Sequence, residues 1–299
     1  MRNKFRSLLP VVLFLYLMIL PACMREALGQ DGKTFLWKVD SKSSMVYMLG
    51  SIHLLKKESY PLSQKIERAF EKSDTLVVEA DIRDEGKKTT LQIMERASYP
   101  ENDSIEKHLS PETYELLQKE AANLGLPLDL ISGQKPWFVA MALEAMELLH
   151  LGYDPRYGID SYFLSKATGR KKILEIEGLD EQIKMVADLS DREQELLLLL
   201  TLKDQQTIAQ DADQLVRAWQ SGDTKKMQAI IAKSTREDPS LLPIYEKLFN
   251  DRNRKMVSKI EDYLKGKGIY FVIVGAGHMI GEKGIVETLR KKGYRVEQF

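Results

Sequence analysis

The apolar positions of this chain fall into two regimes. Near both ends they come in short unbroken runs, and through the middle they recur with helical spacing. The clearest run is Ile269-Tyr270-Phe271-Val272-Ile273-Val274, followed by Gly275-Ala276-Gly277-His278. Such a run bounded by glycine predicts a strand buried on both faces. The glycines let the backbone turn at the strand end. The pattern recurs in Met45-Val46-Tyr47-Met48-Leu49-Gly50-Ser51-Ile52-His53. Each run therefore ends in Gly-x-x-His, and the chain has only 4 histidines.

Further elements follow from the same reading. Thr34 to Asp40 and Met45 to Gly50, joined by Ser41-Lys42-Ser43-Ser44, predict a β-hairpin. Pro61 is expected to open a helix that runs to Lys72. Thr75 to Asp81 predicts a third strand, with Glu79 near the edge that carries His53. Helices are expected at 86–97, 111–124, 136–150, 159–169, 180–189, 190–220, 223–233 and 239–265, with one short strand at 171–177. Ser110-Pro111-Glu112 is a helix start and Gly266-Lys267-Gly268 a helix stop. A closing unit of strand 269–275, helix 282–292 and strand 294–298 completes the chain. The expected class is α/β. A central mixed sheet is built from the N- and C-terminal parts, flanked by helices, with a large helical block between them.

Composition narrows the function. The 299 residues carry 44 basic and 44 acidic side chains, a balance that favours no nucleic-acid partner. One cysteine excludes an intramolecular disulfide and a zinc site of several thiolates. Arg2, Lys4 and Arg6 precede the apolar run Leu8 to Leu20 and then Leu20-Pro21-Ala22-Cys23. That order reads as a signal peptide over 1–22 with a lipobox, Cys23 as the lipidated residue, and a short tether over 23–33 before a domain spanning 34–299. Cleavage after Ala27-Leu28-Gly29 is the alternative and would release a soluble protein. Both place the protein in the cell envelope or outside the cell, the first as a lipid-anchored membrane protein.

His53, Glu79 and His278 form the candidate site. Two imidazoles and a carboxylate are a common ligand set for a divalent metal. A metal acidifies bound water and polarises a carbonyl, and a nearby carboxylate can take the proton. The alternative is two strand-end histidines acting as polar caps. A shared ion at the usual metal–nitrogen distance of about 2.1 Å requires the imidazoles to lie within roughly 5 Å of each other. Trp137 reads as a packing residue, His108 and His150 as surface or helix-end residues, and Leu196 to Leu200 as buried core.

Gly50-Ser51-Ile52-His53, Val77-Val78-Glu79-Ala80-Asp81 and Val274-Gly275-Ala276-Gly277-His278 resemble motifs of the TraB/GumN family. Lys135-Pro136-Trp137, Gly158-Ile159-Asp160, Ile176-Glu177-Gly178-Leu179-Asp180-Glu181-Gln182, Trp219-Gln220-Ser221-Gly222-Asp223 and Arg252-Asn253 are similar to further family elements in the same order. Gly178 stands where the family often has threonine. The resemblance implies an α/β fold shared with erythromycin-esterase-like and ChaN-like proteins. Its Tiki relatives are metal-dependent peptidases working with manganese or cobalt, and zinc is a further candidate. By that analogy His53 and His278 bind a metal or polarise a scissile carbonyl, and Glu79 is a ligand or general base. Arg252, Asn253 and Asp160 would contact a substrate carboxylate or an oxyanion. The expected activity is a metal-dependent hydrolase, most simply a peptidase, acting on a peptide or small-molecule substrate. A metal-independent esterase-like hydrolase and a haem- or ligand-binding lipoprotein are the competing expectations.

Overall fold

Six strands form one mixed sheet in a computed structural model that describes residues 32–84, 87–205 and 207–299. The strands are β1 (Leu36–Asp40), β2 (Ser44–Ser51), β3 (Thr75–Val78), β4 (Lys172–Glu175), β5 (Gly268–Gly275) and β6 (Val296–Gln298). Their order is β4-β3-β5-β2-β1-β6. β4, β3, β5 and β2 run parallel, while β1 is antiparallel to both β2 and β6. The hairpin, the third strand and the closing strands thus assemble as the apolar runs predict. Residues Lys33–Phe299 pack as one compact unit. The signal peptide, Cys23 and most of the tether lie outside the described residues.

The central strands are apolar throughout because helices cover both faces. Successive side chains of a strand point to opposite faces, so Phe271 and Tyr270 report on different layers. Phe271 packs on Phe70 and Phe163 at ring separations of 5.6 and 5.1 Å, which places the helices Gln64–Lys72 and Ile159–Ala167 on one face. Tyr270 stacks on Tyr263 at 4.8 Å, so the helix Asp251–Lys265 covers the other. A second apolar cluster, around Leu117, Leu143 and Leu198, holds together helices of the middle block.

Several expected boundaries move, each for a local reason. The first helix begins at Gln64 and not at Pro61, because the Ser63 hydroxyl caps it by accepting the Lys65 N–H at 3.3 Å. β3 stops at Val78, so Glu79 lies just past the strand end. The expected 190–220 helix is two helices, Asp191–Asp204 and Ile208–Gln220. The chain turns where apolar spacing lapses, with Thr207 N–H donating to Asp204 O at 2.9 Å. The 239–265 stretch is a succession of helical turns whose π turn at Glu246–Asn250 leads into Asp251–Lys265. The last helix covers Ile285–Lys291, and a short turn at Ala276–Met279 carries His278.

Register places the site. β2 and β5 pair over their full length, ending with Ser51 beside Gly275. Both Gly-x-x-His segments therefore leave the sheet at the same edge, the carboxyl ends of parallel strands, where α/β proteins bind ligands. The end of β2 is pinned from outside the sheet. Trp219, fully buried, donates its indole N–H to Gly50 O at 2.6 Å.

Candidate functional site

Gly275 is the floor on which the three candidate residues meet. A Cβ added there would lie 3.4 Å from Glu79 Oε1, 3.5 Å from His278 Cδ2 and 3.8 Å from His53 Nε2. The two imidazoles are therefore no further apart than two such contacts laid end to end. His278 Nε2 stands 3.8 Å from Glu79 Oε1. Glu79 and His278 are buried, while the His53 side chain is 60 % exposed and forms the open side.

Each histidine is gripped by its Nδ1. His53 Nδ1 lies 2.8 Å from Asp160 Oδ2. A carboxylate only accepts, so the proton sits on Nδ1. His278 Nδ1 lies 2.7 Å from Asn253 Oδ1. Asn253 Nδ2 donates to Lys283 O at 3.0 Å, which fixes the amide orientation and makes His278 Nδ1 the donor. Both rings thus keep Nε2 free of that grip. Metal-binding histidines are oriented in this manner, by an N–H···O bond from the nitrogen that does not bind.

Backbone geometry sets up these grips. Gly158 packs so closely that an added Cβ would fall 2.1 Å from His53 O, which only glycine permits. Ile159 N–H donates to Ile52 O at 3.0 Å. Gly158-Ile159-Asp160 therefore wraps the backbone of His53 before Asp160 reaches its ring. On the other side, Phe249 sits with its ring centre 5.2 Å from that of His278 and stacks on Tyr245 at 4.6 Å.

Glu79 is held at every oxygen. Gly275 N–H donates to Oε1 at 2.6 Å, and Gln182 Nε2 and Arg252 Nη2 donate to Oε2 at 2.8 and 2.7 Å. Arg252 also pairs with Glu177, through Nη2 at 2.7 Å and Nε at 3.0 Å. The Glu79 carbonyl accepts the N–H groups of Glu177 and Gly178 at 3.0 and 2.9 Å.

These contacts set the charges. The Asp160 carboxylate, opposed by burial, pushes His53 from 6.5 up to about 9, so it is an imidazolium at neutral pH. Burial pushes His278 from 6.5 down to about 4 against the pull of Glu79, so that ring is neutral. Burial also pushes the Glu79 carboxyl up, but His278, Arg252, His53 and the Gly275 N–H outweigh it and hold it below the usual carboxylate range. With His278 neutral near pH 7, Arg252 and His53 carry that effect there.

Asp160, Arg252 and Asn253, expected as substrate or oxyanion contacts, are found holding His53, Glu79 and His278 in turn. Gln182, Glu177, Trp219 and Phe249 join the site without being picked out as site residues from sequence. Three of them stand in the Glu177-to-Gln182 and Trp-x-x-Gly-Asp motifs, which were the available signal. His108 lies elsewhere, stacked on Tyr99 and bonded to Asp103 at 2.9 Å. Among the described residues no three His, Cys, Asp or Glu side chains stand arranged to hold an ion. With its raised pKa His53 is protonated at neutral pH, and Glu79 Oε2 is taken by Arg252 and Gln182. The donor chemistry nevertheless fits a divalent cation once His53 is deprotonated, with His53 Nε2, His278 Nε2 and Glu79 Oε1 as donors.

Fold and site together define an α/β protein with two histidines and one glutamate at the carboxyl ends of parallel strands. The chain belongs to the TraB/PrgY/gumN family, whose profile matches residues 35–298. It is 28 % identical over 247 residues to the uncharacterised protein YbaP of Escherichia coli (strain K12), covering 82 % of this chain and 87 % of that one. It is 22 % identical over 270 residues to an uncharacterised protein of Treponema pallidum (strain Nichols), covering 86 % and 80 %. A more distant likeness, 21 % over 327 residues covering 92 % and 65 %, is to the metalloprotease TIKI1 of Danio rerio. No solved structure matches the chain.

The two ring shifts have opposite consequences for stability. His53 is raised when folded, so its pairing stabilises fully below 6.5 and is lost as pH rises through about 9. His278 is lowered, so its burial costs nothing above 6.5 and destabilises as pH falls toward 4. Histidine NMR of the metal-free protein, with the His53 and His278 signals assigned by substitution, should show one of these two rings titrating in each window. In Asp160→Asn the His53 titration should move down and the alkaline loss should shrink. His53 and His278 titrating together near 6.5 would contradict the assigned grips.

Proposed function

We propose that this protein is a metal-dependent hydrolase acting on peptide bonds. The observation that carries the reading is the meeting of His53, Glu79 and His278 on Gly275, with each imidazole anchored at Nδ1 and open at Nε2. The likeness to a protein named as a metalloprotease supports the reaction class.

In this reading His53 and His278 supply imidazole donors to a divalent cation such as manganese, cobalt or zinc. Bound there, such an ion lowers the pKa of water and polarises a carbonyl. Asp160 and Asn253 fix the ring orientations, and with them the direction in which Nε2 points. Arg252 and Gln182 keep Glu79 ionised through Oε2, and the lone pair of Oε1 that does not accept the Gly275 N–H can serve as a donor or take a proton. The guanidinium also tempers the negative charge of Glu79 and Glu177, so the site is not a bare acidic pocket. His53 must lose its proton to bind, so affinity for the ion should rise with pH toward about 9.

One observation favours a second reading. His278 is neutral, with Nε2 free beside Glu79, and a neutral imidazole can act as general base without an ion. The reaction would then be ester or amide hydrolysis that persists in chelator.

Calorimetric titration with manganese, cobalt and zinc, followed by hydrolysis of a quenched-fluorescence peptide pool, tests both. Glu79→Gln, His53→Ala and His278→Ala should each lose about 10²-fold or more in activity. Asp160→Asn and Asn253→Ala should weaken the ion by about 10- to 100-fold. Full activity in chelator would remove the metal and leave the second reading. Full activity in all three site variants would remove the site.

Export and a lipid anchor at Cys23 belong to the same proposal, since the sequence preceding the described residues reads as a lipoprotein signal. The mass of the mature N-terminus should show a lipidated Cys23. An unmodified start near Gln30 would mean a soluble exported protein instead.

A further inference from the structure

The helix Pro136–His150 has two apolar faces, and the fold uses only one. Pro136, Trp137, Val139, Ala140 and Leu143 are buried. At about 100° per residue, Phe138, Met141, Ala142, Ala145, Leu148 and Leu149 fall in a separate arc roughly 120° wide on the other side. No charged residue lies within that arc. Met141 and Leu149 are 52 % and 50 % exposed. Among the described residues, none of the six belongs to an apolar cluster of the interior or packs against one. Phe138, Ala142, Ala145 and Leu148 are half-buried, so the chain covers this arc only in part.

We infer that the cover is the same helix of a second copy of this chain, packed antiparallel about a two-fold axis. The order of residues along the arc supports this occupant. Phe138, Ala142, Ala145 and Leu149 are spaced four, three and four apart, the spacing of a helix–helix seam. The pattern is large, small, small, large, and it reads the same in both directions. An antiparallel pair centred between Ala142 and Ala145 sets Phe138 against the partner's Leu149 and alanine against alanine. A two-fold interface needs such self-complementarity, because each contact must occur twice. The small central pair lets the helix axes approach, and the large outer pair closes the ends.

Charge argues against a lipid surface as the occupant. Interfacial helices flank their apolar face with lysine and arginine. This helix has none, and one flank of the arc carries Glu144. Area argues that the seam does not act alone. A helix of this length is about 22 Å long, and stable interfaces bury about 800 Å² per partner. Lys135 N–H donates to Ala97 O at 2.6 Å, which joins the end of the Lys87–Ala97 helix to the start of this one. That neighbour exposes Leu91 at 68 % and Met94 at 36 %.

Sedimentation velocity and light scattering of the full chain as the cell processes it test the inference. The expected mass is twice that of one chain, falling to one chain in Ala145→Glu and in Leu149→Gln. If Ala145→Glu fails to fold, Leu149→Gln decides, because that side chain is half exposed and belongs to no interior cluster. A wild-type protein that stays single up to about 100 µM would overturn the proposal. So would a dimer that both variants leave intact, which would place the interface elsewhere. Flotation of a single-chain wild type with vesicles of phosphatidylethanolamine and phosphatidylglycerol would overturn it in favour of a lipid surface.

Discussion

The parallel pairing of β2 with β5 joins histidines from opposite ends of the chain. With Ser51 held beside Gly275, each strand releases its Gly-x-x-His segment at the same edge. Slip the register by one residue and every side chain of the strand would change face. Both strands are apolar on both faces, so the pattern alone would fix that register only weakly. Gly50 adds a sharper constraint: a Cβ there would meet a Phe35 ring carbon at 2.7 Å, and its carbonyl is held by the Trp219 indole. The strand ends are therefore located to within a contact distance before any polar residue of the site acts.

Polar residues then convert proximity into defined chemistry. Asp160, Asn253 and Arg252 each bind one member of the His53, His278 and Glu79 set. The two rings respond oppositely, because the Asp160 carboxylate outweighs burial at His53 while burial dominates at His278. An exposed imidazolium and a buried neutral imidazole thus share one floor. Such separation of protonation states by environment is what acid–base sites require. It also makes the centre costly to disturb. Arg252 sits between Glu79 and Glu177, and removing it would leave two buried carboxylates without their cation.

Much of this was legible in the sequence. The paired Gly-x-x-His segments, the acidic strand end and the sheet-helix-sheet order each reflect local rules of strand and turn chemistry. What was not legible depends on distance in space. Asp160 follows Gly158-Ile159, and nothing local says that Gly158 will press on the His53 carbonyl and aim the carboxylate at its ring. Arg252 sits in a charged run that reads as solvated, yet the π turn before it carries it to two buried glutamates. The break at Asp204–Thr207 was missed because no glycine or proline marks it in the sequence.

The central claim is that His53 and His278 serve one centre as a unit. Manganese affinity in His53→Ala, His278→Ala and the double variant tests it most directly. Residues that bind one ion lose it together, so the double variant should be no weaker than the worse single variant. Losses that add across the two positions would mean two independent histidines, and the shared centre would have to be abandoned.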